Sequence, residues 1–337
     1  ATSIGLDIAK NVFEVHGIDQ EGRVVLQRTI RRRQVIEFFS KIEPTIVGIE
    51  ACGTSHFWAR ELTKIGHDVR LMPPVYVKPY VKRGKSDRAD AAAICEAVTR
   101  PSMRFVPIKS EEQQSMLSLH RARALLVKQR TQIVNMLRGL LAEFGIVVPK
   151  GIGKITQLAE RIASSLDPGI PSFAMAVFVP LADQLCDMDK RVTDITKAIM
   201  LAAKSDERAR RLQQIPGIGP ITSSAILATV GTPEQFQSGR DFAAWLGLTP
   251  LNKSSGGKQR LGRISKMGDR YIRRLLIGGM TSRVRFARSK PETADPWLLA
   301  LLERKPARLA TVAMANKAAR IIWAMLTKNE SYKPMAA

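Results

Sequence analysis

Asp7 lies in the middle of an apolar stretch, Ile4-Gly5-Leu6-Asp7-Ile8-Ala9-Lys10, and that placement constrains the fold more than any other feature. The stretch reads as a buried strand. A carboxylate inside such a strand is costly unless it is paired or bound to a metal, and Lys10 is the nearest candidate for pairing. A second apolar stretch, Thr45-Ile46-Val47-Gly48-Ile49-Glu50, ends on a glutamate. If the two strands are neighbours, Glu50 approaches Asp7; otherwise it is an ordinary exposed strand end. Asp87 and Asp90 fall in Lys85-Ser86-Asp87-Arg88-Ala89-Asp90-Ala91-Ala92-Ala93-Ile94, which reads as the start of a helix capped by Ser86 or Asp87. Three residues apart, they project from one helix face. There they either stabilise the helix N-terminus or join the other two acids.

The order of elements around these acids narrows the fold class. Residues 3–9, 12–18 and 23–30 read as short strands, with Asp19-Gln20-Glu21-Gly22 as a hairpin turn between the second and third. A helix is expected over 33–42, a buried strand over 45–50, a helix over 55–65 and a strand over 68–72, stopped by Pro73 and Pro74. Three meandering strands followed by alternating helix and strand match a ribonuclease-H-like α/β layer over residues 1–108. The chain is thus α/β plus all-α, because the remaining residues read as helical.

Charge points to the partner. The 337 residues carry 53 Lys and Arg against 30 Asp and Glu, a formal net charge of +23, which favours a nucleic-acid partner. Residues 1–108 hold 17 basic and 12 acidic side chains, net +5; the remainder holds 36 and 18, net +18. The first third therefore reads as a catalytic domain and the rest as the main electrostatic grip. A hydrophobic content of 45% over this length allows two domains with real cores. Cys52, Cys95 and Cys186 form no CxxC pair, and His16, His56, His67 and His120 do not cluster, so neither a zinc ribbon nor a disulfide framework is supported. Neither a signal peptide nor an apolar run long enough to span a bilayer is visible. The expectation is a cytoplasmic protein without a membrane.

Residues 109–205 read as long helices. Leu119, Leu126, Ile133 and Leu140 recur every seven residues, with Leu137 and Phe144 on an interleaved line, the pattern of a coiled-coil seam. Arg123 and Arg130 interrupt that second line. They either snorkel and face solvent or let the helix track a nucleic-acid backbone. A second helical stretch covers roughly 172–204 and would pair with the first within one chain or between chains.

Residues 206–337 are expected to be helical almost throughout, with a final apolar helix over 306–327. Ile215-Pro216-Gly217-Ile218-Gly219-Pro220, leading into the apolar run from Ile221 to Val230, resembles a helix-hairpin-helix motif. In one reading Gly217 and Gly219 let the backbone approach a phosphate and the next helix offers it free N–H groups; in the other the segment is a bare corner. Residues 251–274 then gather Lys253, Lys258, Arg260, Arg263, Lys266, Arg270, Arg273 and Arg274 against Asp269 alone. The first half of this run is Gly- and Ser-rich and reads as a loop; the second enters a helix near Asp269.

These residues suit two chemistries. Phosphodiester cleavage uses divalent ions, about 3.5–4 Å apart in two-metal sites, and Mg2+ takes hard oxygen ligands and keeps its water, so a few carboxylates suffice. Within Lys253-Ser254-Ser255-Gly256-Gly257-Lys258 a serine could attack phosphorus while Lys and Arg stabilise the phosphoryl oxygens. The bland reading of such a loop is a linker or a phosphate contact.

Taken in order, Gly5-Leu6-Asp7-Ile8-Ala9-Lys10, Ile49-Glu50-Ala51-Cys52-Gly53-Thr54, Ser86-Asp87-Arg88-Ala89-Asp90-Ala91, Ile215-Pro216-Gly217-Ile218-Gly219 and Ser254-Ser255-Gly256-Gly257-Lys258 resemble the DEDD-type transposases of insertion sequences. Their N-terminal domain is RuvC-like, and members are bridge-RNA-guided recombinases. The resemblance implies that Asp7, Glu50, Asp87 and Asp90 bind Mg2+. It also implies a nucleophilic serine at Ser255, with Ser254 as the adjacent ambiguity, joined covalently to a DNA 5′ phosphate on the way to a Holliday-junction-like intermediate. It further implies donor and target DNA selected by a noncoding bridge RNA. Dimers and tetramers would form through the coiled coil, and the RuvC-like domain of one protomer would meet the serine domain of another. The alternative is a RuvC-like, metal-dependent junction nuclease that uses water.

Overall fold

The computed structural model describes residues 1–82, 86–164, 169–254, 258 and 260–333. The chain divides into two compact units, Ala1–Glu111 and Glu112–Ala337.

The first unit runs β1 (Ser3–Ile8), β2 (Val12–Ile18), β3 (Val24–Arg31), α1 (Val35–Ser40), β4 (Ile46–Glu50), α2 (Ser55–Lys64), β5 (Asp68–Met72), α3 (Pro74–Val77) and α4 (Asp87–Val98). The strands form one sheet in the order β3-β2-β1-β4-β5. β1–β2 and β2–β3 are antiparallel, and β1–β4 and β4–β5 are parallel. A mixed five-stranded sheet of this order is consistent with a ribonuclease-H-like layer.

Alternation along the strands gives the sheet two different faces. Ile4, Leu6, Phe13, Val15, Val47 and Ile49 point to one core, closed by Val35 and Phe39 of α1 and by Trp58, Ala59 and Leu62 of α2. Phe13 meets Trp58 edge-on at 5.1 Å. The opposite face carries Gly5 and Gly48, which pair in register across β1 and β4. A Cβ on Gly5 would stand 2.2 Å from the Ala91 carbonyl oxygen and 2.4 Å from the Cys95 nitrogen, and one on Gly48 would stand 2.8 Å from the Cβ of Val98. The two glycines therefore let α4 lie directly on the sheet.

The second unit begins one residue into α5 (Glu111–Ala142), followed by α6 (Ile152–Ala163) and α7 (Ser172–Ser205). Ile133, Val134, Leu137 and Leu141 of α5 share a core with Ile155 and Ile162 of α6 and with Phe178, Ala182 and Leu185 of α7. The expected seam is only partly buried: Ile133 and Leu137 are buried, and Phe144 is exposed. The buried residues of α5 are Leu117, His120, Ile133, Val134, Leu137 and Leu141, whereas Leu119, Leu126 and Leu140 are half-buried. The two ring nitrogens of His120 meet the hydroxyls of Tyr271 and Ser224, each at 3.1 Å. Burial, with Arg123 adding to it, lowers the His120 pKa to about 4.

Next come α8 (Glu207–Leu212), α9 (Pro220–Val230), α10 (Gly239–Trp245), the strands β6 (Pro250–Asn252) and β7 (Leu261–Ile264), α11 (Arg270–Ser289), α12 (Pro296–Arg304) and α13 (Ala307–Lys328). Their core joins Leu212, Ile226, Phe242, Leu246, Leu276, Met280, Met314 and Ile322. The first half of the basic run, expected to be a loop, is flanked by strands: β6 and β7 pair antiparallel. Against the expectation that no run would be long and apolar enough to span a bilayer, α13 passes by length and composition. Its apolar residues Ala310, Met314, Ala318 and Ile322 are packed in the helical core.

Candidate active site

Three neighbouring strands present a row of carboxylates on the face that α4 covers. Asp7 is the cross-strand partner of Glu14 in the β1–β2 ladder. On its other side, Glu50 comes directly after Ile49, the register partner of Leu6, and so stands level with Asp7. The close approach of α4 at Gly5 brings its first turn over this row. Ser86 caps the helix, its hydroxyl oxygen accepting a hydrogen bond from the Ala89 N–H at 3.2 Å. Carboxylate oxygens of Asp7, Asp87 and Asp90 all lie within 4.8 Å of one another.

The electrostatics agree with the geometry. Burial first, then Asp90, Asp87 and Glu50, push the Asp7 pKa up to about 6, against an opposing hydrogen bond from the Ile8 backbone. Burial and Asp90 also raise the pKa of Glu50. Burial together with Glu50 and Asp7 raises that of the Cys52 thiol, which places Cys52 in the same negative field. Among the described residues no ion pair joins Asp7 to Lys10, so the alternative partner is not used. Clustered oxygen ligands with excess negative charge suit a hard divalent cation.

Glu14 is the residue that sequence reasoning missed. It is buried at 9% exposure, with Thr29 donating a hydrogen bond to it at 2.7 Å. The available signal was its position between Phe13 and Val15 in a strand expected to pair antiparallel with the one holding Asp7.

The basic residues separate into two groups. Lys253, Lys258, Arg260, Arg263, Lys266 and Arg270 are all exposed. Arg273, from the same run, is buried and donates from one Nη to the carbonyls of Leu246 and Met267, at 2.8 and 2.7 Å, so it ties two backbone segments together. Arg123 and Arg130 likewise differ from the solvent-facing or backbone-tracking expectation. Arg123 Nε donates to Thr196 at 2.7 Å, and Arg130 pairs with Asp189, both on α7.

The serine assignment divides at the loop. Ser255, with Gly256 and Gly257, lies outside the described residues. Ser254 is exposed, and its hydroxyl oxygen accepts the Arg260 N–H at 3.0 Å. At Ile215-Pro216-Gly217-Ile218-Gly219, Gly217 has φ +90°, and a Cβ there would stand 2.7 Å from Met280 and 3.1 Å from the Gly279 oxygen. Its glycine is accounted for by packing on α11. Gly219 precedes α9 with open space around its Cα.

Residues 4–146 match the DEDD transposase family of IS110, and residues 209–296 match the Transposase IS116/IS110/IS902 family. A Pseudomonas aeruginosa protein named as a probable family 20 transposase is 47% identical over 332 residues, covering 98% of each chain. This chain belongs to the IS110/IS116 family of DEDD transposases. The transposase for insertion sequence element IS1111A of Coxiella burnetii is 39% identical over 98% of this chain and 91% of that protein. A more distant relative, the pilin gene-inverting protein of Moraxella bovis, is 24% identical over 76% of this chain and 74% of its own. As an IS110-family transposase the chain is an enzyme that acts on DNA.

Proposed function

We propose that this IS110-family transposase cuts, exchanges and rejoins DNA strands, with Asp7, Glu50, Asp87 and Asp90 holding Mg2+ and Ser255 as nucleophile. The observation that carries the reading is the convergence of the Asp7, Asp87 and Asp90 carboxylates within 4.8 Å, in a chain of this family. Bound divalent ions would neutralise the attacked phosphate and orient it. Asp7 and Glu50 supply charge from the sheet, and Asp87 and Asp90 supply it from α4. The Ser255 hydroxyl oxygen forms a bond to phosphorus as its proton is lost, the bond from phosphorus to the 3′ oxygen breaks, and that oxygen takes up a proton and leaves as the 3′ hydroxyl, with the 5′ phosphate on the serine. Ser255 is favoured over Ser254 because the Ser254 hydroxyl oxygen already accepts the Arg260 N–H. An activity that rejoins strands is supported by the relative named for gene inversion.

Donor and target DNA are gripped by the exposed Lys253, Lys258, Arg260, Arg263, Lys266 and Arg270, with the α9 N-terminus at Gly219 as a further phosphate contact. Their contacts would be to backbone, which carries no sequence information, and so leave selection to base pairing by a bridge RNA. A dimer that assembles to a tetramer through α5 and α7 is supported by the exposed apolar side chains of Leu125, Met136, Phe173 and Leu201.

The second reading is a metal-dependent junction nuclease with water as nucleophile, for which the acidic site alone would suffice. The two separate on one experiment. Wild-type protein with cognate nucleic acid and Mg2+ is expected to yield a covalent protein–DNA adduct that is absent in Ser255→Ala and present in Ser254→Ala. Free 5′ phosphates and no adduct in the wild type would select the nuclease.

A further inference from the structure

Arg88 is part of the motif that supplies Asp87 and Asp90, yet strand cleavage by those acids and Ser255 gives it no role. Its guanidinium lies against Glu14, with Nε 3.9 Å from one carboxylate oxygen, while two thirds of the Arg88 side chain is exposed. The other Glu14 oxygen accepts the hydrogen bond from Thr29, its register partner on β3. Thr29, Glu14, Asp7 and Glu50 thus stand in one row across β3, β2, β1 and β4. Directly opposed Cβ atoms are about 4.5–5.5 Å apart. An exposed guanidinium on the first turn of α4 that reaches Glu14 is therefore within one strand spacing of Asp7. It would find there the negative charge that a divalent cation would otherwise neutralise.

We propose that Glu14 is a positioning residue: anchored by Thr29, it holds Arg88 and keeps that guanidinium off the Asp7, Asp87 and Asp90 carboxylates, leaving them to a divalent cation. The proposal rests on reading those carboxylates as a cation site. Glu14 touches neither the ion nor the DNA in this arrangement; it removes an internal competitor. Glu14→Gln keeps a side-chain oxygen for Thr29 but loses the charge that retains Arg88.

The test is a double-mutant cycle read by Mn2+ binding to the full-length protein without nucleic acid, using calorimetry or the electron-spin signal of free Mn2+. Asp7→Asn serves as the site control and thermal melts as the fold control. Wild type should bind and Asp7→Asn should not. Glu14→Gln should bind about fivefold more weakly, the scale of one partly exposed ion pair. Arg88→Ala should strengthen binding about fivefold in the Glu14→Gln background and by less than twofold in the wild type, with melting temperatures unchanged. Equal effects of Arg88→Ala in both backgrounds would mean simple long-range charge and would overturn the proposal. So would wild-type affinity in Glu14→Gln. A wild type that binds no Mn2+, or an Asp7→Asn variant that binds as tightly, would overturn the cation-site reading and the proposal with it.

Discussion

Gly5 and Gly48 sit side by side in register on the parallel strands β1 and β4, and the floor they make fixes the distance of α4 from the sheet. Any Cβ at Gly5 would collide with the α4 backbone at Ala91 and Cys95, which cannot rotate away. At Gly48 the obstacles are side-chain atoms of Val98 and Met72. Gly5→Ala should therefore cost about 3 kcal/mol, the upper range for overpacking, and Gly48→Ala about 1–2 kcal/mol. Because α4 must lift at Gly5, Asp87 and Asp90 should withdraw from Asp7, and strand cleavage should fall more than stability does. Urea melts and cleavage assays on folded protein at low temperature would check both. Full activity in Gly5→Ala would contradict the placement of α4.

The raised pKa of Asp7 gives a pH dependence with a definite sign. Its carboxyl titrates near 6 in the folded chain against 3.8 as its ordinary value, so the folded state holds the proton more tightly. The stability this contributes is present below pH 4 and lost as pH rises through 6. The ion-free protein should thus melt lower at pH 7 than at pH 5, with Asp7→Asn flattening that slope. Adding Mg2+ should restore the melting temperature at pH 7 and release protons on binding. Melting curves at the two pH values, with and without Mg2+, would show it. An unchanged wild-type slope in Asp7→Asn would assign the effect elsewhere.

His120 predicts the opposite slope in the second unit. Its folded pKa near 4 lies below its ordinary value of 6.5, so the folded state excludes the proton. Stability is full above pH 6.5 and is lost as pH falls through that value toward 4. The charged imidazolium would be buried beside Arg123, and it could no longer accept a hydrogen bond from the Ser224 or the Tyr271 hydroxyl. His120→Gln should remove this acid sensitivity while lowering stability at pH 7.5 by about 1–2 kcal/mol through imperfect hydrogen bonding. Chemical denaturation across pH 4.5–7.5 is the measurement.

The first unit was far more legible in the sequence than the second, and the reason is the range of the interactions. The strands of the sheet were marked by apolar alternation and by a turn whose Asp19 side chain accepts the backbone N–H groups of Glu21 and Arg23, all local signals. Asp7, Glu50, Asp87 and Asp90 stood out because acids are rare at the ends and centres of apolar elements. Glu14 did not, because an acid in a strand looks solvent-facing until its neighbours in the sheet are known. A heptad of leucines is a local pattern and does not show that His120 of α5 is buried, because its partners lie 104 and 151 residues away. The ribbon of β6 and β7 escaped notice because its strands are three and four residues long and flank a Gly- and Ser-rich loop.

Arg130 and Arg263 offer a matched test of which cations grip nucleic acid. Both belong to runs that read as basic, but Arg130 pairs with Asp189 between α5 and α7 and is 19% exposed, while Arg263 is exposed on β7. Removing Arg130 leaves a partly buried aspartate without its partner, which should cost about 1–3 kcal/mol of stability. It should leave nucleic-acid affinity within about twofold, since its charge is already engaged. Arg263→Ala should do the reverse: stability within about 0.5 kcal/mol, but weaker DNA binding and a salt-dependence slope reduced by about one counterion. Binding isotherms at several salt concentrations, alongside urea melts, separate the two. A reduced salt slope in Arg130→Ala would return α5 to the DNA-tracking surfaces, and an unchanged slope in Arg263→Ala would remove the β6–β7 ribbon from them.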